Sequence, residues 1–333
     1  MKVMVTGGAG YIGSVTARAL ELAGHTPIIL DSLLTGPRAF VGNRVFYHGD
    51  VADRALLSRI VSDHPDLGCT IHLAARTVVP ESVEAPYEYY RDNVSKSLDL
   101  FDQLVALGKP RVVFSSSAAV YGSANTLSVD ENSPVDPGSP YARTKLVTEQ
   151  ALVDLAAATD LRAISLRYFN PIGADPDLTS GPHLPEPTHV LGQLVMAAMG
   201  QLSSFTINGS DYPTRDGTAI RDYVHVWDVA RAHIAAVEQL DDVLDAVGSR
   251  TTVLNVGSGT GTTVRELVAA FEGVLGRPVP TNEGPRRIGD TVGAFAKIDM
   301  ARTLLGWAPD LTLNQAISSA LSWAERRKAV LGR

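Results

Sequence analysis

The sequence predicts an α/β protein, in which a doubly wound parallel sheet is followed by a smaller, mixed α/β C-terminal part. Short β-rich segments alternate with segments of helical spacing through the first half of the chain, which is typical of right-handed βαβ units. Several β-rich segments are apolar at consecutive positions, as strands covered on both faces are. The composition of the 333 residues, with 45% hydrophobic and 20% charged side chains, is that of a globular protein.

The first half of the chain contains the regular elements. Two long helices are predicted over residues 86–107 and 139–159, because apolar side chains recur there at helical spacing. Gly108-Lys109-Pro110 ends the first of them, since glycine and proline stop helices. Six strands are predicted, over residues 3–6, 27–30, 45–48, 70–73, 112–115 and 163–167.

The rhythm of strands and helices changes after Arg167. Residues 170–187 contain five prolines, which predicts a loop, and a loop of this length in a compact domain is often functional. Further along, Thr263 with Glu266 and Thr312 with Gln315 match the capping-box pattern. Each pair predicts the start of a helix, because the two side chains satisfy backbone N–H groups of the first turn.

The change of rhythm predicts a domain boundary near residue 170. We expect residues 1–170 to form the first domain and residues 171–333 to form the second. Residues 224–256 contain one more helix and one more strand, and we expect the chain to return there to the sheet of the first domain.

Charge, hydropathy and cysteine usage exclude several classes of protein. The net charge is −7 and the basic residues are scattered, so we expect no nucleic-acid partner. We also expect no membrane span and no signal peptide, since no apolar run has the required length. The single cysteine, Cys69, excludes an internal disulfide and fits a reducing cytoplasm. The eight histidines show no ligand spacing, so no metal site is expected, and His72 is interpreted as a buried, hydrogen-bonded histidine.

A glycine-rich turn follows the first predicted strand. Gly7 allows the sharp turn, Gly10 lets a pyrophosphate approach the backbone, and Gly13 lets the next helix pack closely on the sheet. The N-terminus of that helix offers N–H groups and a partial positive charge to phosphates. A tight strand-to-helix turn without a ligand is the alternative interpretation, but the strand before and the helix after favour a dinucleotide site.

Acidic residues follow the next two predicted strands, and the first of them favours NAD as the dinucleotide. Asp31 lies 18 residues beyond Gly13, where a carboxylate binds the ribose hydroxyls and repels a 2′-phosphate. Arg38 is interpreted as a solvated loop cation rather than a partner for that phosphate. Asp50 and Val51 are candidates for an adenine contact, although a carboxylate here also suits the helix that Asp53 opens.

A tyrosine and a lysine lie four residues apart at the start of the second long helix. Tyr141 and Lys145 therefore project from the same face of that helix. The strand before them runs into Ser115-Ser116-Ser117, at the carboxyl end of a parallel strand, where ligands bind in such sheets. Lys145 and a nicotinamide cation are expected to stabilise the Tyr141 phenolate, and Ser117 to hydrogen-bond the reacting oxygen. The alternative interpretation is an ordinary surface pair.

With these residues in place, the chain resembles the UDP-glucose 4-epimerases of the extended short-chain dehydrogenase/reductase family. The resemblance covers nearly the whole chain and implies an NAD-binding Rossmann domain. It is carried by the segments GGAGYIG, IILD, SSSAAVYG, SPYARTK, LRYFNPIGA, NGSDYPTRDGTAIRDYVHVWD and RRIGD.

The resemblance also implies the residues of each site. The cofactor contacts it implies, beside the three glycines, are Tyr11, Ile12, Asp31, Asp50, Val51, Leu73, Ala74, Ala75, Asp92, Ser115, Tyr141, Lys145 and Phe169. The UDP-sugar contacts are Ser117, Tyr141, Asn170, His189, Thr206, Ile207, Asn208, Arg221, Arg287, Asp290 and Ala294. Guanidinium groups such as those of Arg221 and Arg287 bind phosphate oxygens in pairs, whereas surface ion pairs with neighbouring aspartates are the alternative. Departures from the family pattern that bear on substrate affinity and sugar choice are Thr77, Asp92, His189, Gly192 and Asn208.

The resemblance implies a UDP-hexose 4-epimerase that interconverts UDP-glucose and UDP-galactose through a 4-keto intermediate with tightly bound NAD. Ala294 stands beside the C2 substituent in the family pattern, so N-acetylated sugars are further candidate substrates, unless Phe295 occupies that space. Helices such as those predicted here pair in related epimerases, which implies a homodimer.

Two other functions stay open. A nucleotide-sugar 4,6-dehydratase needs an Asp-Glu pair after the active-site hydroxyl, and Ala118-Ala119 stands there instead. A non-catalytic NAD-responsive binding protein would have no need of Ser117, Tyr141 and Lys145 together.

Overall fold

The computed structural model describes residues 1–122, 127–286 and 291–332. Its centre is a sheet of seven parallel strands, with strand order 3-2-1-4-5-7-12. This order confirms the predicted doubly wound α/β class, because the chain moves outward from β1 in both directions. The sheet strands are β1 (Lys2–Thr6), β2 (Thr26–Asp31), β3 (Val45–His48), β4 (Leu67–His72), β5 (Arg111–Ser117), β7 (Arg162–Tyr168) and β12 (Thr251–Val256).

Helices cover both faces of this sheet and continue into the C-terminal part. In the first half they are α1 (Tyr11–Leu22), α2 (Arg54–Asp63), α3 (Val79–Glu84), α4 (Pro86–Tyr90), α5 (Lys96–Ala106) and α6 (Pro140–Ala158). In the second half they are α7 (Val190–Ala198), α8 (Val226–Glu238), α9 (Leu240–Ala246), α10 (Val264–Leu275), α11 (Asp299–Leu305) and α12 (Leu313–Leu331). None of the helices in the described ranges has the length and apolarity needed to span a bilayer.

Four pairs of short strands complete the described fold. Three of the pairs are parallel and one, β10 with β13, is antiparallel. The pairs are β6 (Ser128–Val129) with β15 (Phe295–Ala296), β8 (Asn170–Ile172) with β11 (Tyr223–His225), β9 (Phe205–Asn208) with β14 (Thr281–Gly284), and β10 (Ile220–Arg221) with β13 (Thr262–Thr263).

The predicted elements are present, with differences at their ends. The predicted helix over residues 86–107 is wrong as a single α-helix, since a π-helical turn at Arg91–Ser95 separates α4 from α5. That turn brings Asn93 inward, where its side chain bonds both backbone groups of Arg76 at 2.8 and 3.0 Å. The predicted strand over residues 70–73 ends at His72, and the proline-rich segment begins with β8 instead of loop.

Both predicted capping boxes are confirmed. In each, the threonine side chain accepts a hydrogen bond from the third helical N–H, and the residue at that third position caps the threonine N–H in return. The donor–acceptor distances are 3.1 and 2.9 Å for Thr263 and Glu266, and 3.3 and 2.8 Å for Thr312 and Gln315.

Three main apolar cores explain why the described part of the chain folds in this way. The largest core lies between the sheet and helices α1 and α8, with Ala17, Leu20, Val229 and Ala232 fully buried. A second packs α2, α5 and α6 against the sheet, with Leu100 and Phe101 fully buried. A third joins α7, α10 and α12 in the C-terminal part. The return of the chain places β12 beside β7, in register from Thr251 opposite Ala163 to Val256 opposite Tyr168. The division into domains 1–170 and 171–333 stays a prediction.

Candidate active site

The glycine turn between β1 and α1 is closely packed on one side and open on the other. A β-carbon added at Gly7, where φ is +69°, would lie 2.7 Å from the backbone nitrogen of Ala74. One added at Gly13 would lie 2.2 Å from the carbonyl oxygen of Gly7. At Gly10 the one contact such a carbon would make is the Gly7 oxygen at 3.2 Å, and no side chain caps α1 there. An uncapped helix N-terminus beside an open backbone fits a dinucleotide pyrophosphate.

Asp31 faces this turn from the end of β2, where its side chain is 8% exposed. Its carboxylate accepts hydrogen bonds from the backbone N–H groups of Ala9, at 2.9 Å, and Leu33, at 2.7 Å. Each oxygen keeps a lone pair for a ribose hydroxyl, so the geometry fits the ribose of NAD. Arg38 is held elsewhere, since its guanidinium lies 4.8 Å from the ring centre of Phe46.

A lysine connects two of the carboxylates predicted to contact the cofactor. Lys96 donates to Asp50 at 2.6 Å and lies 3.0 Å from Asp92. The other Asp50 oxygen accepts from the N–H of Ala52 at 3.0 Å, while Asp53 caps α2 as predicted. Sequence reasoning missed Lys96, and its spacing of four from Asp92 on one helix was the available signal.

The segment after β4 lies against the glycine turn. The N–H groups of Leu73 and Ala74 lie 3.3 Å from the hydroxyl oxygen of Thr6. Arg76, which sequence reasoning also missed, donates to Asp92 at 2.7 Å. The signal for it was its position just beyond the carboxyl end of a parallel strand.

Asp92 is the most strongly paired carboxylate of this region. Burial alone would raise the pKa of its carboxyl group, but hydrogen bonds from Arg91, Arg76 and Lys96 hold that pKa well below its usual range. The carboxylate of Asp92 is therefore ionised and matched by cations.

The structure brings Ser117, Tyr141 and Lys145 together at the end of β5. The phenol of Tyr141 lies close enough to Ser117 for the serine hydroxyl to lower its pKa. Lys145 lies one helical turn further along α6, where its Nζ donates to the carbonyl oxygen of Ser115 at 2.7 Å. That Nζ is 5.9 Å from the ring centre of Tyr141 and 5.0 Å from that of Phe114. The arrangement can pass a proton between Tyr141 and a hydroxyl group that also contacts Ser117.

Burial dominates the electrostatics of these groups. Burial raises the pKa of Tyr141, while the hydrogen bond with Ser117 lowers it. Burial lowers the pKa of Lys145 to about 7, and the negative charge of Glu149 opposes that change. The Lys145 ammonium bonds the backbone of Ser115 and not the phenol, so its predicted stabilisation of the Tyr141 phenolate would act across the 5.9 Å to the ring centre and stays a prediction.

His72 lies beneath this group of residues. Burial, followed by the charge of Lys145, lowers its pKa to about 3, so the ring is neutral. Its nitrogens lie 2.7 Å from the Thr6 hydroxyl and 2.8 Å from that of Ser97, which confirms the interpretation of a buried, hydrogen-bonded histidine. Among the described residues, no group of three or more His, Cys, Asp or Glu side chains is placed to hold a metal ion.

Phe169 and Asn170 follow β7 and line the same edge of the sheet. The Phe169 ring stacks on that of Tyr121, with ring centres 6.4 Å apart. The Asn170 amide donates to the carbonyl oxygen of Asp222 at 3.0 Å. Asp222 itself turns inward and accepts from the N–H groups of Ser258 and Ala296 at 2.6 and 3.0 Å.

Other predicted sugar-nucleotide residues lie on the C-terminal part. Thr206, Ile207 and Asn208 form β9, and the Asn208 amide donates to the Thr206 carbonyl at 3.1 Å. His189 caps α7 by accepting from the N–H of Gly192 at 3.1 Å, and burial lowers the pKa of its ring. The guanidinium of Arg221 donates to the Ile220 carbonyl at 2.7 Å and also lies near the carbonyls of residues 291 and 292.

Arg287 and Asp290 lie outside the described residues, so their predicted contacts stay predictions. The segment that follows them places Ala294 and Phe295 differently. Ala294 is partly buried and packs against the largest core, which contains Phe169. Phe295 lies over Gly261, where an added β-carbon would be 2.6 Å from its ring. Ala294 therefore contacts the core, whereas the ring of Phe295 contacts Gly261.

Comparison with known proteins identifies the family. Residues 3–257 match the family described as "NAD dependent epimerase/dehydratase family". A UDP-glucose 4-epimerase from Rhizobium leguminosarum bv. trifolii is 43% identical over 96% of this chain and 96% of that protein. One from Azospirillum brasilense is 41% identical over 99% of this chain and 94% of the other.

Solved structures agree with these relatives. The UDP-glucose-4-epimerase from Stenotrophomonas maltophila, solved with NAD and formylated UDP-arabinopyranose, superposes with a TM-score of 0.93 at 37% identity, covering 99% of each chain. The UDP-Glc/GlcNAc 4-epimerase from Campylobacter jejuni superposes with a TM-score of 0.82 at 34% identity, covering 98% of this chain and 99% of the other. These findings confirm the resemblance, the fold class and NAD as cofactor. The chain belongs to the NAD-dependent epimerase/dehydratase family.

Proposed function

We propose that the protein is a UDP-hexose 4-epimerase that interconverts UDP-glucose and UDP-galactose with tightly bound NAD. The observation that carries the proposal is the group of Ser117, Tyr141 and Lys145 at the carboxyl end of β5, where Ser117 lies beside the Tyr141 phenol and Lys145 bonds the Ser115 carbonyl. Relatives with 43% and 41% identity are UDP-glucose 4-epimerases, which supports the same reaction here.

Different residues around the glycine turn would bind different parts of the cofactor. The open backbone at Gly10 and the N-terminus of α1 would hold the pyrophosphate, and Asp31 the adenosine ribose. When bound there, NAD⁺ would supply an acceptor for the hydride of the sugar C4, and its reduced form would supply the hydride donor for the other face of the 4-keto sugar. Because the reaction has no net redox change, the cofactor is regenerated in each cycle and would stay bound between turnovers.

The chain itself handles the proton. Tyr141 takes the proton of the sugar 4-hydroxyl group and later gives it back, while Ser117 hydrogen-bonds the same oxygen. Lys145, fixed on the Ser115 carbonyl, supplies positive charge beside the phenol. Arg221, with its guanidinium at the segment after residue 290, is proposed to bind the pyrophosphate of the UDP-sugar.

A dehydratase on the same fold is less well supported. Elimination needs a further acid and base for C5 and C6, and the helical turn after Ser117 reads Ala118-Ala119-Val120-Tyr121. None of these four residues is an aspartate or a glutamate, so this turn offers no carboxyl group for the elimination. The decisive experiment follows UDP-glucose and UDP-galactose by NMR, without added NAD. C4 inversion supports the proposal, a 4-keto-6-deoxy product supports the dehydratase, and binding without reaction supports an NAD-responsive binding protein.

The sugar pocket is proposed to accept N-acetylated UDP-hexoses as well. Ala294 packs against the core, and Phe295 packs on Gly261. The small side chain of Ala294 leaves room for an acetamido group. The Campylobacter jejuni relative is a UDP-Glc/GlcNAc 4-epimerase, which supports the same proposal.

We also propose that the protein is a C₂ homodimer. An apolar surface runs along α3, α4 and α6, and its exposed members include Val83, at 64%, and Tyr87, at 71%. Tyr90, Val147 and Val153 extend it. Large exposed apolar side chains on neighbouring helices are typical of a subunit interface.

The single thiol, Cys69, is free and buried, which supports the proposed cytoplasmic location.

A further inference from the structure

The end of β5 contacts three successive turns of α6. Ser117 lies beside Tyr141, and the carbonyl of Ser115 accepts a hydrogen bond from Lys145. Between them, the hydroxyl of Ser116 donates to the carboxylate of Glu149. Tyr141, Lys145 and Glu149 follow one another at steps of four, so they share one face of the helix. Tyr141 and Lys145 take part in the proposed reaction, whereas Glu149 does not contact the reacting groups.

Glu149 is also paired with a buried arginine of the neighbouring strand. Arg167 donates two hydrogen bonds to the Glu149 carboxylate, at 2.9 and 2.6 Å, and both side chains are 6% exposed. Ser116 and Arg167 are direct partners in the register of β5 and β7, so both reach the carboxylate from the same row of the sheet. A buried ion pair is weak evidence for stability, because removing two charges from water costs about as much as their attraction returns.

The same row continues to a third strand. Arg167 also donates to the hydroxyl of Tyr121 at 3.0 Å, and that hydroxyl donates to Asn255 at 2.7 Å. Asn255 is the register partner of Arg167 on β12, and its N–H donates to Glu131 at 2.8 Å. The pair of Glu149 and Arg167 therefore stands in a continuous polar row beneath α6, at the strand end that carries the reaction.

Lys145 is surrounded by titratable groups from three elements. On α6 these are Tyr141 and Glu149, on β4 His72, and on β7 Arg167 and Tyr168, with Tyr121 and Glu131 behind Arg167. His72 is neutral, and burial raises the pKa values of Tyr121, Tyr141 and Tyr168. Among these described groups, Glu149 is the one whose negative charge acts on Lys145.

We propose that Glu149 is a positioning residue of the reaction. Held by Ser116 and Arg167, it fixes α6 against the end of β5 and places a carboxylate on the same helix face as Lys145, one turn away, where it favours the ammonium form of that lysine. The inference rests on the proposed function, in which the cation beside Tyr141 is needed for turnover. It assigns the buried charges a role in the reaction.

The test changes charge while keeping shape. Glu149→Gln keeps the size of the side chain, but its amide nitrogen cannot accept a hydrogen bond from Arg167, and it leaves the positive charge of Arg167 unbalanced. The ¹³Cε resonance of Lys145, assigned by its loss in Lys145→Met, reports the protonation of the amine directly. We expect its titration midpoint to fall by about one pH unit or more in Glu149→Gln, and the alkaline limb of the kcat profile to move the same way. KM is expected to change less than about threefold, because the substrate contacts stay in place.

Opposite and compensating changes make the test specific to charge. Arg167→Met should raise the Lys145 midpoint, and the double variant Glu149→Gln/Arg167→Met should return it towards the wild-type value. Asp228→Asn is the matched control, because Asp228 is a buried carboxylate that accepts from Leu311 at 2.9 Å and pairs with Arg231. It should lower Tm without moving the Lys145 midpoint.

Several outcomes would overturn the inference. An unmoved Lys145 midpoint in Glu149→Gln would do so, as would an unmoved midpoint in Arg167→Met if the glutamine variant does not fold. The same holds if the double variant shows no return. The failure of the proposed function is separate: a wild-type protein that binds UDP-glucose without C4 inversion removes the epimerase, while the midpoint shifts still decide whether Glu149 controls Lys145.

Discussion

The Nζ of Lys145 donates a hydrogen bond of 2.7 Å to the carbonyl oxygen of Ser115, across the end of β5 from Ser117. This bond places a cation beside a buried phenol without direct contact between the two side chains. A backbone acceptor is held by the sheet, so the position of the ammonium depends on the strand and not on a mobile side chain. The proton chemistry of the site is therefore built on the junction of β5 and α6.

Lys145→Met should lower turnover by roughly 10²–10⁴-fold. Burial raises the Tyr141 pKa, and the loss of the nearby cation removes a charge that favours the phenolate. The apparent pKa of the catalytic base should therefore rise, which moves the acid limb of the kcat profile to higher pH. A pH–rate profile of both proteins checks this. A variant whose acid limb coincides with that of the wild type would show that Lys145 acts only by positioning the cofactor.

Tyr141→Phe should abolish nearly all turnover while the protein still binds UDP-sugar. The phenol of Tyr141 is the group that exchanges the proton with the sugar hydroxyl. Without it, the site beside Ser117 has no group that can accept that proton. Tyr47→Phe is a matched control, because the Tyr47 hydroxyl bonds Asp63, at 2.7 Å, on the far part of the sheet. Full activity in Tyr141→Phe, measured by C4 inversion, contradicts the proposed mechanism.

Asp31→Ser should weaken NAD binding by roughly 10–100-fold, since hydrogen bonds to a charged acceptor contribute about 1.5–3 kcal/mol. The copurified cofactor, released by denaturation and quantified, reports the loss. We expect no gain of NADP binding, because Arg38 stacks on Phe46 and donates to the Gly42 carbonyl at 3.3 Å. An Asp31→Ser protein that binds NADP tightly would mean that Arg38 turns to meet the 2′-phosphate.

Ala294→Tyr should remove activity on UDP-N-acetylglucosamine and UDP-N-acetylgalactosamine while keeping activity on the unmodified sugars. A tyrosine ring fills the space that an acetamido group needs, and such a filled gap changes discrimination by about 1–3 kcal/mol. Inversion of both sugar classes by NMR is the measurement. Phe295→Ala is the control for the neighbouring position, and activity confined to unmodified sugars in both wild type and Phe295→Ala would contradict the prediction.

The apolar surface along α3, α4 and α6 can be tested with single charges. The wild type should scatter light as twice its 35.4 kDa chain mass. Tyr87→Glu should shift it towards monomer, because a carboxylate buried in an interface without a partner is costly. Leu22→Glu is the matched control, since Leu22 is 60% exposed at the end of α1. A wild-type mass of one chain at micromolar concentration excludes the homodimer.

Local patterns were sufficient to predict most elements. The glycine turn, the capping boxes and the alternation of strands and helices depend on residues close in sequence, so their physical causes can be read without the fold. The π-helical turn at Arg91–Ser95 was missed because its cause is distant: Asn93 bonds the backbone of Arg76, which comes from another strand end. The same is true of the pairing of Arg76 with Asp92.

The sequence by itself determined the chemistry available to this protein: a glycine turn with an acid at the next strand end, and a serine, a tyrosine and a lysine around one helix start. Each of these depends on spacings of a few residues, which helix and strand geometry converts directly into position. Only the tertiary structure decided that Lys145 bonds a backbone carbonyl, that Phe295 packs on Gly261, and that Glu149 meets Arg167. Those contacts join strands and helices distant in sequence, and the packing of the whole sheet selects them.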